Sequence, residues 1–149
     1  MKKSLLILFG LLCFISCKEN KNPDSSGSKP GQMEKTNETE LVVQKILDLP
    51  DLQWVYHPEL KERLPVKVLK TEQITEKLDL KKFGRKVSIL SPEELEKEHI
   101  TDYVSIQLDF SNDTLKFDLE YKAEGAVASG KMVKKNGEWI VVDYSVAEE

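Results

Sequence analysis

The sequence predicts an α+β domain in which helices come early and pack on a curved, mainly antiparallel sheet that ends in a four-strand meander. From Asp102 onward, apolar and polar residues alternate with a period of two, the pattern of strands that bury one face. The Asn136-Gly137 pair marks a hairpin, because both central positions of such a turn need a positive φ. Helix start signals precede the alternating region, so the helices are expected to cover one face of the sheet.

The part of the domain before residue 90 is predicted to hold short elements. Asn37 and Glu40 form a capping-box pattern for a short helix that ends before Pro50. One or two helical turns are expected over 59–64 and a weaker helix over 72–78. Strands are expected over 66–70 and 86–90.

The clearest helix start is the run from Ser91 to Glu94. Ser91 can accept a hydrogen bond from the amide near Glu94, Pro92 fits the first helical position, and the acidic residues complement the helix dipole. This helix is expected to end near His99.

Four strands are predicted to follow, over about 102–110, 115–121, 126–134 and 140–146. Ile140, Val142, Tyr144 and Val146 are expected to form the inward face of the last strand. Trp139 then alternates away from that face, which leaves it half exposed or packed on a helix.

Composition divides the chain into three segments. Residues 1–16 contain Lys2 and Lys3 and then a dozen mostly apolar residues, a run too short to span a bilayer and typical of a secretory signal peptide. Residues 17–37 have the polar composition of a disordered tether. Residues 38–149 hold the potential core and are predicted to form a single domain.

The signal segment ends in Phe14-Ile15-Ser16-Cys17, which resembles the lipobox of bacterial lipoproteins. The resemblance implies cleavage before Cys17 and acylation of its sulfur, with palmitate among the expected chains, so that the protein would be lipid-anchored in the cell envelope. Lys18 is unlike the aspartate that retains some lipoproteins in the inner membrane, so the outer membrane is favoured and its face is left open. The alternative is an ordinary signal cut near Ser16, which would leave Cys17 a free thiol.

The charge balance limits the partners of the domain. Residues 38–149 contain 16 basic and 23 acidic side chains, a net charge of -7. Binding to nucleic acid requires clustered Lys and Arg, so nucleic acid is excluded as a partner. The expected contacts are the membrane, through the lipid, and either a small apolar ligand or an envelope protein.

The end of the domain resembles a known superfamily. The strand 117–121, the Glu124-Gly125 pair and the closing stretch from Lys134 to Val142 resemble the nuclear-transport-factor-two-like superfamily, whose cone shape is related to that of cystatins. The resemblance implies a pocket between sheet and helices that some members use for catalysis and many use for binding alone, so it does not license a function.

The sequence carries few signs of catalysis. His57 and His99 are the two histidines, and neither has the neighbours of a metal site, so no metal and no cofactor are expected. His57 is interpreted as a loop residue and His99 as a residue at a helix end. An enzyme that uses a tyrosine and a carboxylate in the cavity is the first alternative, and an inhibitor or immunity-type protein is the second.

The predicted function is therefore a non-catalytic binding domain, with no catalytic residue assigned. Trp54, Tyr56 and Trp139 are candidate ligand-binding residues because exposed aromatic side chains often mark a binding patch. Tyr121 and Glu124 are candidates for the pocket rim. The competing interpretation is that Trp54 closes the mouth of the cone, Tyr121 lies in the core and Glu124 is a solvated acid.

Overall fold

The computed structural model describes residues 30–148, with side chains from Thr36 onward. The predicted signal peptide, the lipobox and Cys17 lie outside the described residues. Two α-helices are present, α1 (Pro30–Leu47) and α2 (Pro92–Lys97), together with 3-10 turns at Pro50–Leu52 and Lys61–Arg63. The strands are β1 (Lys67–Leu69), β2 (Lys81–Lys82), β3 (Arg85–Lys86), β4 (Ser88–Leu90), β5 (Val104–Ser111), β6 (Thr114–Tyr121), β7 (Ala126–Lys135) and β8 (Glu138–Glu148).

The strands form one large mixed sheet and a small hairpin. The six-stranded sheet has the order β4-β1-β5-β6-β7-β8, and β2 and β3 pair separately. β5 to β8 form the predicted antiparallel meander. β1 lies parallel to both β4 and β5, a pairing that the alternation of side chains does not reveal. The α+β class and the mainly antiparallel sheet are thus as predicted.

The first helix packs on the sheet. α1 begins at Pro30, before the predicted cap at Asn37, and so overlaps the end of the segment predicted as a tether. Val42, Val43, Ile46 and Leu47 of α1 are fully buried in one core cluster with the apolar residues of the central strands. Each such side chain contributes about 1.5–3 kcal/mol when it leaves water, so α1 is part of the core.

The predicted inward faces of the first two meander strands are largely confirmed. Val104 and Ile106 are buried in β5, with Leu108 and Phe110 partly buried at its other end. Alternate residues of β6 from Leu115 to Tyr121 are buried. The Asn136-Gly137 turn has positive φ at both residues, as the hairpin requires.

The prediction of which residues of the last strand point inward is wrong for the first half of that strand. Trp139 is buried, whereas Ile140 and Val142 are 41% and 47% exposed. Val142 has no partner on β7, because the register shifts between Val141 and Asp143. This bulge inserts one residue and moves the alternation to the other phase, so that Tyr144 and Val146 face the core as predicted.

The helix expected over 72–78 is absent. Ile74 and Leu78 are buried four positions apart, which imitates a helical period. The hydroxyl of Thr71 instead accepts hydrogen bonds from the amides of Gln73 and Ile74, at 3.3 and 3.0 Å, and holds the chain in a turn.

The capping box of α2 is confirmed. The Ser91 hydroxyl accepts from the Glu94 amide at 3.2 Å, and the Glu94 carboxylate accepts from the Ser91 amide at 2.8 Å. The helix ends at Lys97, and His99 follows it with a positive φ, at the helix end where it was expected. The turns predicted over 59–64 are reduced to the short 3-10 turn.

Candidate functional site

The five predicted binding residues differ in exposure, and they do not line one common pocket. Trp54 is 53% exposed, and the hydrogen bond from the His57 amide to its carbonyl places it in a turn. Trp139, Tyr56 and Tyr121 are buried. Glu124 is partly exposed. Exposure of Trp54 agrees with a surface patch and differs from the alternative in which it closes a cone.

Trp139 is buried and hydrogen-bonded to α1. Its ring meets Phe110 edge to face at 5.9 Å, and its Nε1 donates to Glu38 Oε1 of α1 at 2.8 Å. The same oxygen accepts from Lys134 Nζ at 2.7 Å, and this bond is the main cause of a lowered pKa for Glu38. Glu38 thus ties α1 to both strands of the last hairpin.

Tyr56 lies in the core beside the β2–β3 hairpin. Its ring is 5.9 Å from that of Phe83 and 5.8 Å from that of Tyr121, and Lys82 Nζ lies 5.4 Å from its centroid. Lys82 is itself buried and pairs with Asp48 at 2.6 Å. No described residue hydrogen-bonds the Tyr56 hydroxyl, and burial raises the pKa of Tyr56.

Tyr121 belongs to a set of six residues that we call the polar cluster. Its members come from the loop after Tyr56, the start of β1, the residues just before β5, and the end of β6 with the turn that follows it: His57, Arg63, Lys67, Asp102, Tyr121 and Glu124. The Tyr121 hydroxyl donates to Asp102, which also accepts from Lys67 Nζ at 3.1 Å. The predicted rim residues Tyr121 and Glu124 are brought together here.

The second half of the polar cluster centres on Glu124. Its carboxylate accepts from Arg63 and lies 3.4 Å from His57 Nε2. The other ring nitrogen of His57, Nδ1, is 2.8 Å from Glu59 Oε1. The hydrogen bond to Glu124 raises the pKa of Arg63.

The charged side chains of the polar cluster form pairs of opposite sign. Arg63 is matched by Glu124, and Lys67 by Asp102. Burial, followed by the bond to Asp102, raises the pKa of Tyr121, which keeps its hydroxyl protonated near neutral pH. The imidazole of His57, between two carboxylates, is the group in this cluster suited to proton transfer.

A groove of about 490 Å³ borders the polar cluster. Arg63, Lys67 and Asp102 line it together with His99 and Thr101. It is open to solvent. Of its charged lining residues, Lys67 pairs with Asp102, and Arg63 pairs with Glu124 of the polar cluster.

A second groove, which we call the edge groove, runs between the end of α1 and β8. It has a volume of about 740 Å³. Lys45, Asp48, Leu49 and Pro50 line one side, and residues 138–144 of β8 line the other. The exposed side chains of Ile140 and Val142 stand along it, and Tyr144 donates to Asp51 Oδ2 at 2.9 Å near its end.

Some of these residues escaped the sequence interpretation. Asp102 could have been found, because the turn pairing Ser111 with Thr114 places Tyr121 opposite Val104 and hence beside Asp102. Arg63 lies in an irregular loop that no periodicity positions. Ile140 and Val142 were assigned to the core because a bulge leaves no mark in the alternation.

Among residues 30–148, no group of three or more His, Cys, Asp or Glu side chains could hold a metal ion. No helix in this part of the chain has the length and apolar character needed to cross a membrane. The chain matches no protein-family model, no curated protein and no solved structure.

Proposed function

We propose that this protein is a lipid-anchored lipoprotein of the bacterial cell envelope whose α+β domain is a non-catalytic binding domain. The observation that carries the binding function is the edge groove, where apolar side chains are exposed beside the open last strand of the sheet. Exposed apolar residues clustered at a groove are typical of surfaces that bind another molecule. The partner class that this surface supports best is an envelope protein, ahead of a small apolar ligand.

Packing of the interior supports a binding site on the outer surface. The apolar residues of α1, the central strands and the loop around Tyr56 form one core cluster, with Phe117 and Tyr56 among the largest fully buried side chains. The helix on a sheet that ends in a meander also supports the resemblance to the nuclear-transport-factor-two-like superfamily, which we retain as a proposal. In this domain, side chains of the core cluster fill the space between α1 and the sheet.

The anchoring part of the proposal depends on Cys17. Two or three acyl chains, each gaining about 0.8 kcal/mol per buried methylene, would hold the domain at a membrane, for which the outer membrane is favoured. Mass spectrometry of the mature N-terminus tests this, with an acylated Cys17 expected. An unmodified Cys17, or a chain that starts elsewhere, would contradict it.

Photo-crosslinking in the native envelope tests the binding part. A photoreactive residue replacing Ile140 is expected to yield a discrete adduct that is absent when the same residue replaces Lys97 on α2, away from the edge groove. Equal adduct patterns at both positions, or no adduct at Ile140, would contradict a binding role for this surface.

The polar cluster favours the enzyme as second candidate, because it brings a tyrosine, a histidine and two carboxylates together at a groove. Such an enzyme would use His57 for proton transfer. Hydrolysis of a chromogenic ester that is lost in His57→Ala and kept in His99→Ala would support it. Equal activity in both variants would remove it.

A further inference from the structure

The two edges of the six-stranded sheet are unequal. β4 forms one edge and has three residues, a length that offers little backbone to another chain. β8 forms the other edge and has 11 residues. On an edge strand, every second residue directs its N–H and C=O away from its one neighbour. Among residues 30–148, β8 pairs only with β7, so it presents a long row of backbone groups that no other described strand pairs with.

The β8 edge has one feature that protects sheet edges, a bulge, and lacks others. Lysine, arginine and proline, which hinder pairing with a further strand, are absent from Glu138–Glu148. The bulge at Val142 interrupts the ladder with β7 and leaves the valine side chain in solvent. Residues 143–148 beyond the bulge continue as regular strand.

The edge groove lies beside this row of backbone groups. Its length along β8, residues 138–144, corresponds to about 24 Å at roughly 3.4 Å per residue. Pro50 offers exposed apolar surface on the α1 side, next to the buried Leu49, and Ile140 and Val142 offer it on the β8 side. A strand added to β8 would therefore find contacts for side chains on both of its faces.

The charges around the edge define the chemistry of the added strand. β8 carries Glu138, Asp143 and Glu148 and no basic residue, and Lys45 pairs with Glu138 at 3.4 Å. Asp143 makes no ion pair within the described residues, although Lys131 is its neighbour on β7. A second copy of this chain would bring the same acids against each other, so charge favours a basic partner.

We propose that β8 accepts an extended segment of a partner protein, with alternating apolar and Lys or Arg side chains, as a seventh strand of the sheet. Backbone hydrogen bonds supply affinity in this mode of recognition, and the side chains that face the groove supply specificity. This inference rests on the proposed binding function and names the partner that the edge groove accepts.

A synthetic peptide of about nine residues, with alternating lysine and valine, is the probe. With the full chain purified in detergent, we expect saturable binding by fluorescence anisotropy and slowed hydrogen exchange at β8 amides. A peptide with glutamate in place of lysine is expected to bind at least about tenfold more weakly. A peptide N-methylated at alternate amides is expected not to bind, because it cannot donate to the strand.

Matched variants locate the site. Val142→Lys places a charge on the edge and is expected to weaken probe binding about tenfold or more, whereas Leu41→Lys is expected to leave it within about twofold. Leu41 is a suitable control because it is 60% exposed on α1 and does not line the edge groove. Circular dichroism of both variants checks that the fold is retained.

Three results with the probes and variants would overturn the inference: no binding of the basic probe, equal binding of the N-methylated peptide, or equal loss in both lysine variants. Self-association through β8, seen by sedimentation and abolished by Val142→Lys, would replace the partner with a second copy and also overturn it. These outcomes are separate from the crosslinking result, since an adduct at Ile140 without probe binding would keep the binding domain and reject only the added strand.

Discussion

Tyr56 and Tyr121 lie side by side in the core, but their hydroxyl groups have different surroundings. Tyr121 donates to Asp102, whereas no described residue accepts from Tyr56. A buried hydroxyl without a partner costs free energy, and a bond to a charged group returns about 1.5–3 kcal/mol.

We expect opposite effects from removing the two hydroxyls. Tyr56→Phe should raise the free energy of unfolding by about 1 kcal/mol, and Tyr121→Phe should lower it by about 1–2 kcal/mol. Urea denaturation followed by circular dichroism measures both. Destabilisation by Tyr56→Phe would show that its hydroxyl is hydrogen-bonded in solution.

Glu38 makes the stability of the fold dependent on pH. Its pKa is lowered chiefly by Lys134, so in acid the unfolded chain takes up the proton more readily than the folded one. The stabilisation is present above the ordinary pKa of about 4.5 and is lost as pH falls through the lower folded value.

We expect Glu38→Gln to destabilise the domain by about 1–2 kcal/mol at pH 7 and to reduce the loss of stability between about pH 5 and 3. Unfolding free energies of both proteins across this pH range measure the effect. If the unfolding free energies of the variant and the wild type fall equally with pH, the acid sensitivity comes from other carboxylates.

At the scale of elements, Gly130 sets how closely β7 lies to its neighbours. A Cβ at this position would lie 2.5 Å from Phe117 Cζ and 2.7 Å from both the Asp143 carbonyl oxygen and Tyr144 Cβ. The carbonyl belongs to the backbone of β8, so relief of the overlap would require the strand itself to move.

Gly130→Ala is expected to lower the free energy of unfolding by about 2–3 kcal/mol through overpacking. Gly84→Ala is the control, because a Cβ there meets nothing within 4 Å and only the positive φ is unfavourable. Thermal unfolding of both variants compares them. Gly130 has no positive φ, so a loss no larger than that of Gly84→Ala would contradict overpacking at Gly130.

The elements also show what the sequence could reveal. Alternation and the Asn136-Gly137 turn were enough for the meander, because each strand there pairs with its neighbour in sequence. The parallel pairing of β1 with β4 and β5 depends on contacts distant in sequence, which no local pattern records. The turn at Thr71 was missed because Ile74 and Leu78 have the spacing of a helix face.

The candidate site was harder to predict, because it also depends on contacts between residues distant in sequence. Trp139 was offered as a ligand-binding residue, or else as one that packs on a helix, but its hydrogen-bond partner Glu38 is 101 positions away. The exposed apolar edge depends on a single extra residue, Val142, whose effect is to exchange the two faces of β8. Pattern alone assigned that residue to the core.

At the scale of the whole molecule, α1, the middle loops and the sheet share one core cluster. Unfolding should therefore be a single cooperative transition. In a Trp54→Phe protein, the fluorescence of the buried Trp139 and the far-ultraviolet circular dichroism are expected to change at the same urea concentration. Separate midpoints would indicate that α1 or the loops unfold independently of the meander.

The inequality of the two sheet edges has a consequence for stoichiometry. A sheet that offers 11 residues at β8 and three at β4 can accept a strand at one end and gives the next molecule almost nothing to join at the other. Growth into a fibre requires a surface and its complement on every copy. Complexes formed through β8 should therefore stop at one partner per chain.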